Sequence, residues 1–472
     1  MKKVLVAIIV LVTLFRSGSL AQSLPNGFDM ALDKKSKEVR CVSCGENGFC
    51  VVEEAQSRKY HRLRISHVDT AMRLQWDTTI TLLQESRFQQ VFYEDGTLVV
   101  MVMPRVTPKV YWPGPTTIYL YHTAFRKLET REVADLHMVI PIADCHYYQG
   151  NFIFKTVGKN SDGVWFLPVD AAAPVQFTFT KENPGRVLSL DVDTLNGCVV
   201  ICFNSGVRTM YFETDFHGKS SFANIIGEPS TQAQWIPISR NHSVLMLYYN
   251  DQDNFFMHPV NILNHKVMPS DTLFCADILV PNIQPMGAKA MRTIIVVPHN
   301  YVSLYPTYAG FAGDKIFCVT ELYCPEYSNY FNGQFVEPRF DGYRYDRADV
   351  HFFDTNGVFI TNTTFPYGEE MSLRTSVYKV LNVSFLPNSD ILLYYLDTRN
   401  LSTMLLDSVF EIKSPVNTVG VPIQRNSSSG RYKTVPVAMQ QWYGNRFLLT
   451  AYLENLGSQR KVGISVRKME YN

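Results

Sequence analysis

Residues Asn241–Asp251, NHSVLMLYYND, have a near-copy at Asn388–Asp397, NSDILLYYLD. In each, a polar turn runs into three or four apolar residues, then Tyr-Tyr, then an acid. Such an unbroken apolar run predicts a strand covered on both faces, where a half-buried strand would alternate. Similar runs occur at Leu98–Val102, Asn151–Val157, Cys198–Phe203, Arg292–Val297 and Arg446–Tyr452, with another near residue 350. Runs recurring at roughly 45–55 residues fit four-stranded blades, which predicts an all-β chain, a β-propeller of seven or eight blades. Tyr248 and Tyr394 are 146 residues apart. Read as three repeats of about 49, that spacing puts the two runs three blades apart. Leu245 then matches Ile391, and Leu247 matches Leu393. The late stretch Lys461–Arg467, KVGISVR, is placed to pair with an early strand and complete a blade, which removes free edges.

The alternative architecture is a set of tandem β-sandwich domains. It would show linkers between units of about 100 residues. No Pro/Ser/Gly linker of that kind is present, and Gln424–Arg431, QRNSSSGR, reads as a solvent loop. The expected organisation is a leader over residues 1–21, a cysteine-containing segment over 22–58 and a propeller over 59–472.

The leader reading rests on Lys2 and Lys3, the apolar run Val4–Phe15 and the mostly small residues Ser17–Ala21. Those features predict a signal peptide cut after Ala21. The run is shorter than the roughly 20 residues a membrane span needs, and no later stretch supplies one, so no transmembrane anchor is expected. The expected destination is extracellular. Five N-glycosylation sequons suit it: Asn241, Asn362, Asn382, Asn400 and Asn426. In an oxidising compartment most of the nine cysteines should pair. Cys41, Cys44 and Cys50 crowd one short segment, and Cys318 and Cys324 bracket VTELY, so these five are the disulfide candidates. Zinc at the first group would need a fourth ligand, for which His61 is the near candidate. Cys198 and Cys202 share one strand-like run and sit too far apart on it to bond each other.

With 44 basic and 43 acidic residues, the chain lacks the basic excess of a nucleic-acid binder. No zincin, nucleophile-elbow, phosphate-loop or dinucleotide motif appears, so neither cofactor nor metal is expected and binding is favoured over catalysis. Tyr323–Asp354 is the densest unusual stretch. Its first half reads as a long loop, and Tyr323, Tyr327, Tyr330, Tyr343, Tyr345, Arg339, Arg344 and Arg347 suit contact with an extracellular protein or carbohydrate. The alternative is an insert that packs over one mouth of the propeller and satisfies its own Arg–Asp pairs. The function expected is a secreted binding, adhesion or assembly module. The alternative is a propeller hydrolase acting on glycans through separated carboxylates, which no motif picks out.

Overall fold

Tight turns set the strand pairing. Asp95-Gly96 and Gln149-Gly150 have positive φ at both central positions (45° and 77°, 47° and 77°). This is the hairpin turn whose twist matches the flanking strands, and glycine adopts it without a Cβ clash. Glu94 therefore faces Thr97, and Tyr148 faces Asn151.

A computed structural model describes residues 23–471 except 25–26, 105, 108–109, 112–115, 134–141, 158–161, 172–173, 178–184, 252–253, 269–273, 277–302, 332–335, 368–378, 398–399, 422–431 and 456–460. The leader and the run at 292–297 lie outside these. Among the described residues the chain is all-β, with eight antiparallel sheets of at least four strands each. It is an eight-bladed β-propeller. No helix among the described residues is long and apolar enough to cross a membrane.

The chain divides into two compact units. One holds three blades. Blade 1 is Ser36–Ser43, Phe49–Gln56, His61–Val68 and Leu74–Thr81, and blade 2 runs from Ser86–Glu94 to Lys127–Val133. Blade 8 takes three strands from the C-terminus (Tyr432–Gln441, Arg446–Asn455, Lys461–Glu470) and its next from Gly27–Ala31. Phe28 pairs with Val466 and Met30 with Ile464, so the early strand does complete the late blade. In Phe49–Gln56, Phe49 and Val51 face blade 8 while Cys50 and Val52 face blade 2.

The other unit holds blades 3 to 7, whose second strands are Asn151–Thr156, Cys198–Asn204, His242–Asp251, Lys315–Phe331 and Ile391–Leu396. The same alternation recurs. Leu245 and Leu247 pack on Val200, Cys202 and Tyr211 of blade 4, whereas Val244, Met246 and Tyr248 pack on Ile316, Cys318 and Phe353 of blade 6. Ile391 and Leu393 pack on Phe317, Val319 and Phe352 of blade 6. Both matched leucine pairs thus face the preceding blade. Fourth strands have no such cover: Ile412–Gly420 is exposed along nearly all its length.

Four expectations change. The two Tyr-Tyr runs are second strands of blades 5 and 7, two steps apart rather than three, because blade 6 is built on strands of 17 and 18 residues. The run near 350 is a third strand of that blade. The boundary at residue 58/59 falls inside blade 1. Its second strand escaped notice because Glu53 and Glu54 interrupt the apolar run. Both acids are buried and satisfied: Glu53 accepts from the Asp33 amide at 2.7 Å, and Glu54 from the Phe88 amide at 2.9 Å. His61 meets Glu54 at 2.9 Å and the Leu83 carbonyl at 2.7 Å, so it is committed away from the cysteines.

Candidate functional site

The stretch expected to be a long loop is a hairpin. Lys315–Phe331 pairs with Val336–Phe353 along its whole length, with bulges at Leu322/Tyr323 and Glu326/Tyr327. The flanking strands stop early, since Ser303–Ala312 reaches only Tyr323 and Phe359–Pro366 only Arg347. Beyond those points, Cys324–Phe331 and Val336–Arg344 pair with each other and with no other strand among the described residues. Eight residues at about 3.3 Å each make a two-stranded ribbon about 26 Å long. The loop reading failed because turn residues such as Pro325 and Gly342 sit inside the strands as paired residues, opposite Tyr343 and Glu326, while the bulges take up Asp346 and Asp341.

The ribbon has two chemically different faces. One carries an aromatic ladder: Tyr345–Tyr323, Tyr323–Tyr343, Tyr343–Phe340 and Phe340–Tyr327 have ring centroids 5.8, 5.5, 5.0 and 5.6 Å apart. Edge-on pairs of this kind contribute about 0.5–1.5 kcal/mol each beyond burial, which matters because a lone two-stranded hairpin is marginal in water. The polar face holds Arg344, 3.0 Å from Glu326, and Ser328, 3.0 Å from Asp341. Arg347 pairs with Asp349 at 3.0 Å along its own strand, and Arg344 takes Glu326 across the hairpin.

Of the expected site residues, Tyr345 is 2% exposed and belongs to the core shared by blades 6 and 7. Tyr323 and Tyr343 are half-buried at the ribbon base, and Arg344 and Arg347 are half-buried beside their acids. Tyr327 is half-buried further out, while Tyr330 is 52% exposed and Arg339 is exposed. The residue missed is Phe340, 40% exposed and central to the ladder. The alternation Tyr327…Phe340…Tyr343 becomes visible only once the register is known.

A second constellation lies on the first strands of blades 3 and 4. Asp144 and His146 alternate on Ile142–Tyr148, and Ser189 and Asp191 alternate on Arg186–Asp193. His146 Nε2 is 3.5 Å from Asp144 Oδ1. Among the described residues, the atoms His146 Nε2, Ser189 Oγ and Asp191 Oδ2 are shielded from solvent without a hydrogen-bond partner. Burial pushes the Asp191 carboxyl up to about 6, against the charge of His146. Burial also acts on Asp144, but the His146 ring beside it outweighs burial and holds that carboxyl below its ordinary value. Two carboxyls driven apart in this way can divide acid and base roles. No group of three or more His, Cys, Asp or Glu among the described residues is arranged to hold a metal ion.

No protein-family model matches the chain, and no curated protein does. Several solved structures are similar to it at low identity. The Dos1 propeller shares 7% identity over 92% of this chain and 94% of that one, with a TM-score of 0.45. The β-propeller domain of the trilobed protease from Pyrococcus furiosus shares 8% over 83% and 96%, with a TM-score of 0.38. Prolyl oligopeptidase B from Galerina marginata shares 7% over 89% of this chain but only 56% of its own length, with a TM-score of 0.40. The likeness is one of fold. It says nothing of what this propeller binds.

The cysteine expectations are partly overturned. Cys318 and Cys324 lie six residues apart on one strand, about 20 Å at full extension, and cannot bond. Cys318 is buried against Tyr248, and Cys324 Sγ accepts from Arg344 at 3.7 Å. Cys198 and Cys202 share one strand face as free thiols. Cys44 and Cys50 bring their sulfurs to 3.6 Å, and Cys41 lies on the other face of the same blade. Among the sequons, Asn241 in a tight turn and Asn362 on an outer strand are exposed. Asn382 and Asn400 are half-buried, and Asn426 lies outside the described residues.

Proposed function

We propose that the chain is a secreted glycoprotein acting as an extracellular binding or assembly module, and that the aromatic face of the blade 6 ribbon is its recognition surface. The carrying observation is that the ribbon continues past the ends of both flanking strands, with Tyr327 and Phe340 on its aromatic face and Tyr330 and Arg339 exposed on the other. Tyrosine and phenylalanine offer large contact area with few rotors to freeze, and arginine adds directional polar contacts. The open strand edges offer backbone donors and acceptors to an extended partner segment, so the occupant is a protein. The leader composition and the exposed sequons at Asn241 and Asn362 support secretion.

The test compares the secreted wild-type chain with Tyr327→Ala/Phe340→Ala in capture from the native secretion, alongside a glycan array. The reading expects one protein retained by the wild type and lost by the variant, with Tm within about 2 °C. Equal capture by both, or binding to glycans alone, overturns it.

A second reading, hydrolysis of glycans, is favoured by Asp144 beside His146, Ser189 and Asp191, the last three of which each hold a shielded atom with no hydrogen-bond partner among the described residues. It requires that reducing-sugar release by the wild type be abolished in Asp191→Asn. No release by the wild type across a glycan panel ends it.

A further inference from the structure

The segment CVSCGENGFC leaves the pairing of its three cysteines open by sequence, but the sheet separates them. Cys41 pairs with Val51 and packs toward blade 8, near Thr450 and Gln440. Cys50 pairs with Val42 and lies, with Cys44, in the cluster shared with blade 2. Between Cys44 and Cys50 the chain makes a single 3-10 turn, Gly45–Asn47. Backbone bonds hold it, from the Cys44 amide to Gly48 O at 2.9 Å and from the Gly48 amide to Gly45 O at 3.1 Å. Gly48 has φ 105°, and a Cβ there would lie 1.9 Å from Val68 O, so the turn has one shape. It brings the Cys44 and Cys50 sulfurs to 3.6 Å in a buried pocket.

We propose that Cys44 and Cys50 form a disulfide that locks this turn. Bonded sulfurs lie about 2.05 Å apart, so closure requires an approach of about 1.5 Å, within reach of side-chain rotation. In the step, a disulfide-bearing exchange donor accepts the two electrons. Each thiol loses its proton, one S–S bond forms here, and the donor's S–S bond is reduced to two thiols. Formation in the cell rests on the secretory reading; closure in a redox buffer does not. The turn is a junction. Asn47 O receives His67 Nε2 at 2.8 Å, Asn47 Nδ2 donates to Tyr93 of blade 2 at 2.9 Å, and Trp442 Nε1 of blade 8 donates to Gly48 O at 2.7 Å. Locking it holds blade 1 against both neighbours. Neighbouring thiols and burial push the Cys50 thiol well above its ordinary range, so in the folded chain it reacts slowly and the bond forms as the chain folds.

The full chain is refolded in oxidised glutathione, denatured, alkylated without reduction and cut with a glutamate-specific protease. Cleavage after Glu46 separates Cys44 from Cys50. The expected result is two peptides still joined, 2 Da lighter than their dithiol sum, with Cys41 alkylated. Cys50→Ser should release Cys44 to the alkylating agent and lower Tm by about 1–3 °C. Full alkylation of both Cys44 and Cys50, or a bond from Cys41 to either, overturns the inference. Because this reading comes from the wild-type chain, a variant that fails to fold leaves it intact. A chain that is not exported yet still joins these peptides in glutathione sinks the secretory reading alone.

Discussion

One hairpin of blade 6 passes through two environments. Its inner half, Lys315–Leu322 with Arg347–Phe353, is covered on both faces: Phe317 and Val319 meet blade 7, while Ile316, Cys318 and Leu322 meet blade 5. Its outer half has the same backbone pairing but loses that cover beyond its base, where Cys324 and Glu326 are still buried. The inner part of the second strand carries the apolar run Ile316–Val319. The outer residues segregate into an aromatic face and a charged face. Identical strand geometry can therefore serve as core or as surface, and only the side-chain pattern tells which.

The largest expected difference is in stability. Phe317→Ala in the inner half should cost about 3–5 kcal/mol, and Leu245→Ala or Leu393→Ala about 2–5 kcal/mol, because each leaves a cavity between two blades. Denaturant unfolding measures this. A loss below about 1 kcal/mol at all three positions would erase the contrast between the halves.

Glu321 sharpens the comparison through pH. It is buried in the inner half, where its Oε1 accepts from the Val380 and Leu381 amides at 2.8 and 2.7 Å while Oε2 has no hydrogen-bond partner among the described residues. Burial pushes its carboxyl up to about 7, against those amides, the Tyr367 hydroxyl and Lys379. The folded state therefore holds a proton that the unfolded chain releases at lower pH. Its contribution is complete below the unfolded pKa and is lost as pH rises toward 7, by at most on the order of 3 kcal/mol. Glu321→Gln should flatten the fall in stability between pH 5 and pH 8. An unchanged pH slope in the variant would mean the acid is solvated.

The ribbon itself should respond least. Tyr330→Ala should shift stability by no more than about 0.5 kcal/mol, since surface substitutions away from special features rarely do more. Tyr345→Ala, at the foot of the ladder, should cost several times as much. Similar losses at the two positions would place Tyr330 in the core.

The same contrast explains what the sequence made legible. Doubly covered second strands announce themselves as apolar runs, so the β class, the blade repeat and the parity of Leu245 with Ile391 could be read directly. Blade 1 hid because its second strand carries Glu53 and Glu54, whose backbone and side-chain partners come from distant residues. The ribbon hid because turn residues, Pro325 and Gly342, sit paired inside its strands and two aspartates, Asp341 and Asp346, are taken up by bulges. The Asp144–His146–Asp191 cluster has no motif spacing, for its members come together only where two first strands lie side by side. Arg344's partner, Glu326, likewise follows from register and not from proximity in the chain.

Tyr323 and Tyr345 face each other in register, so the outer half can be excised by replacing residues 324–344 with Asn-Gly, the pair suited to a two-residue hairpin turn. Thermal unfolding and partner capture are then measured on the same preparation. The account predicts a folded propeller with Tm within about 3 °C of the parent and no captured partner. A chain that fails to fold, or one that folds and still captures the partner, would contradict it.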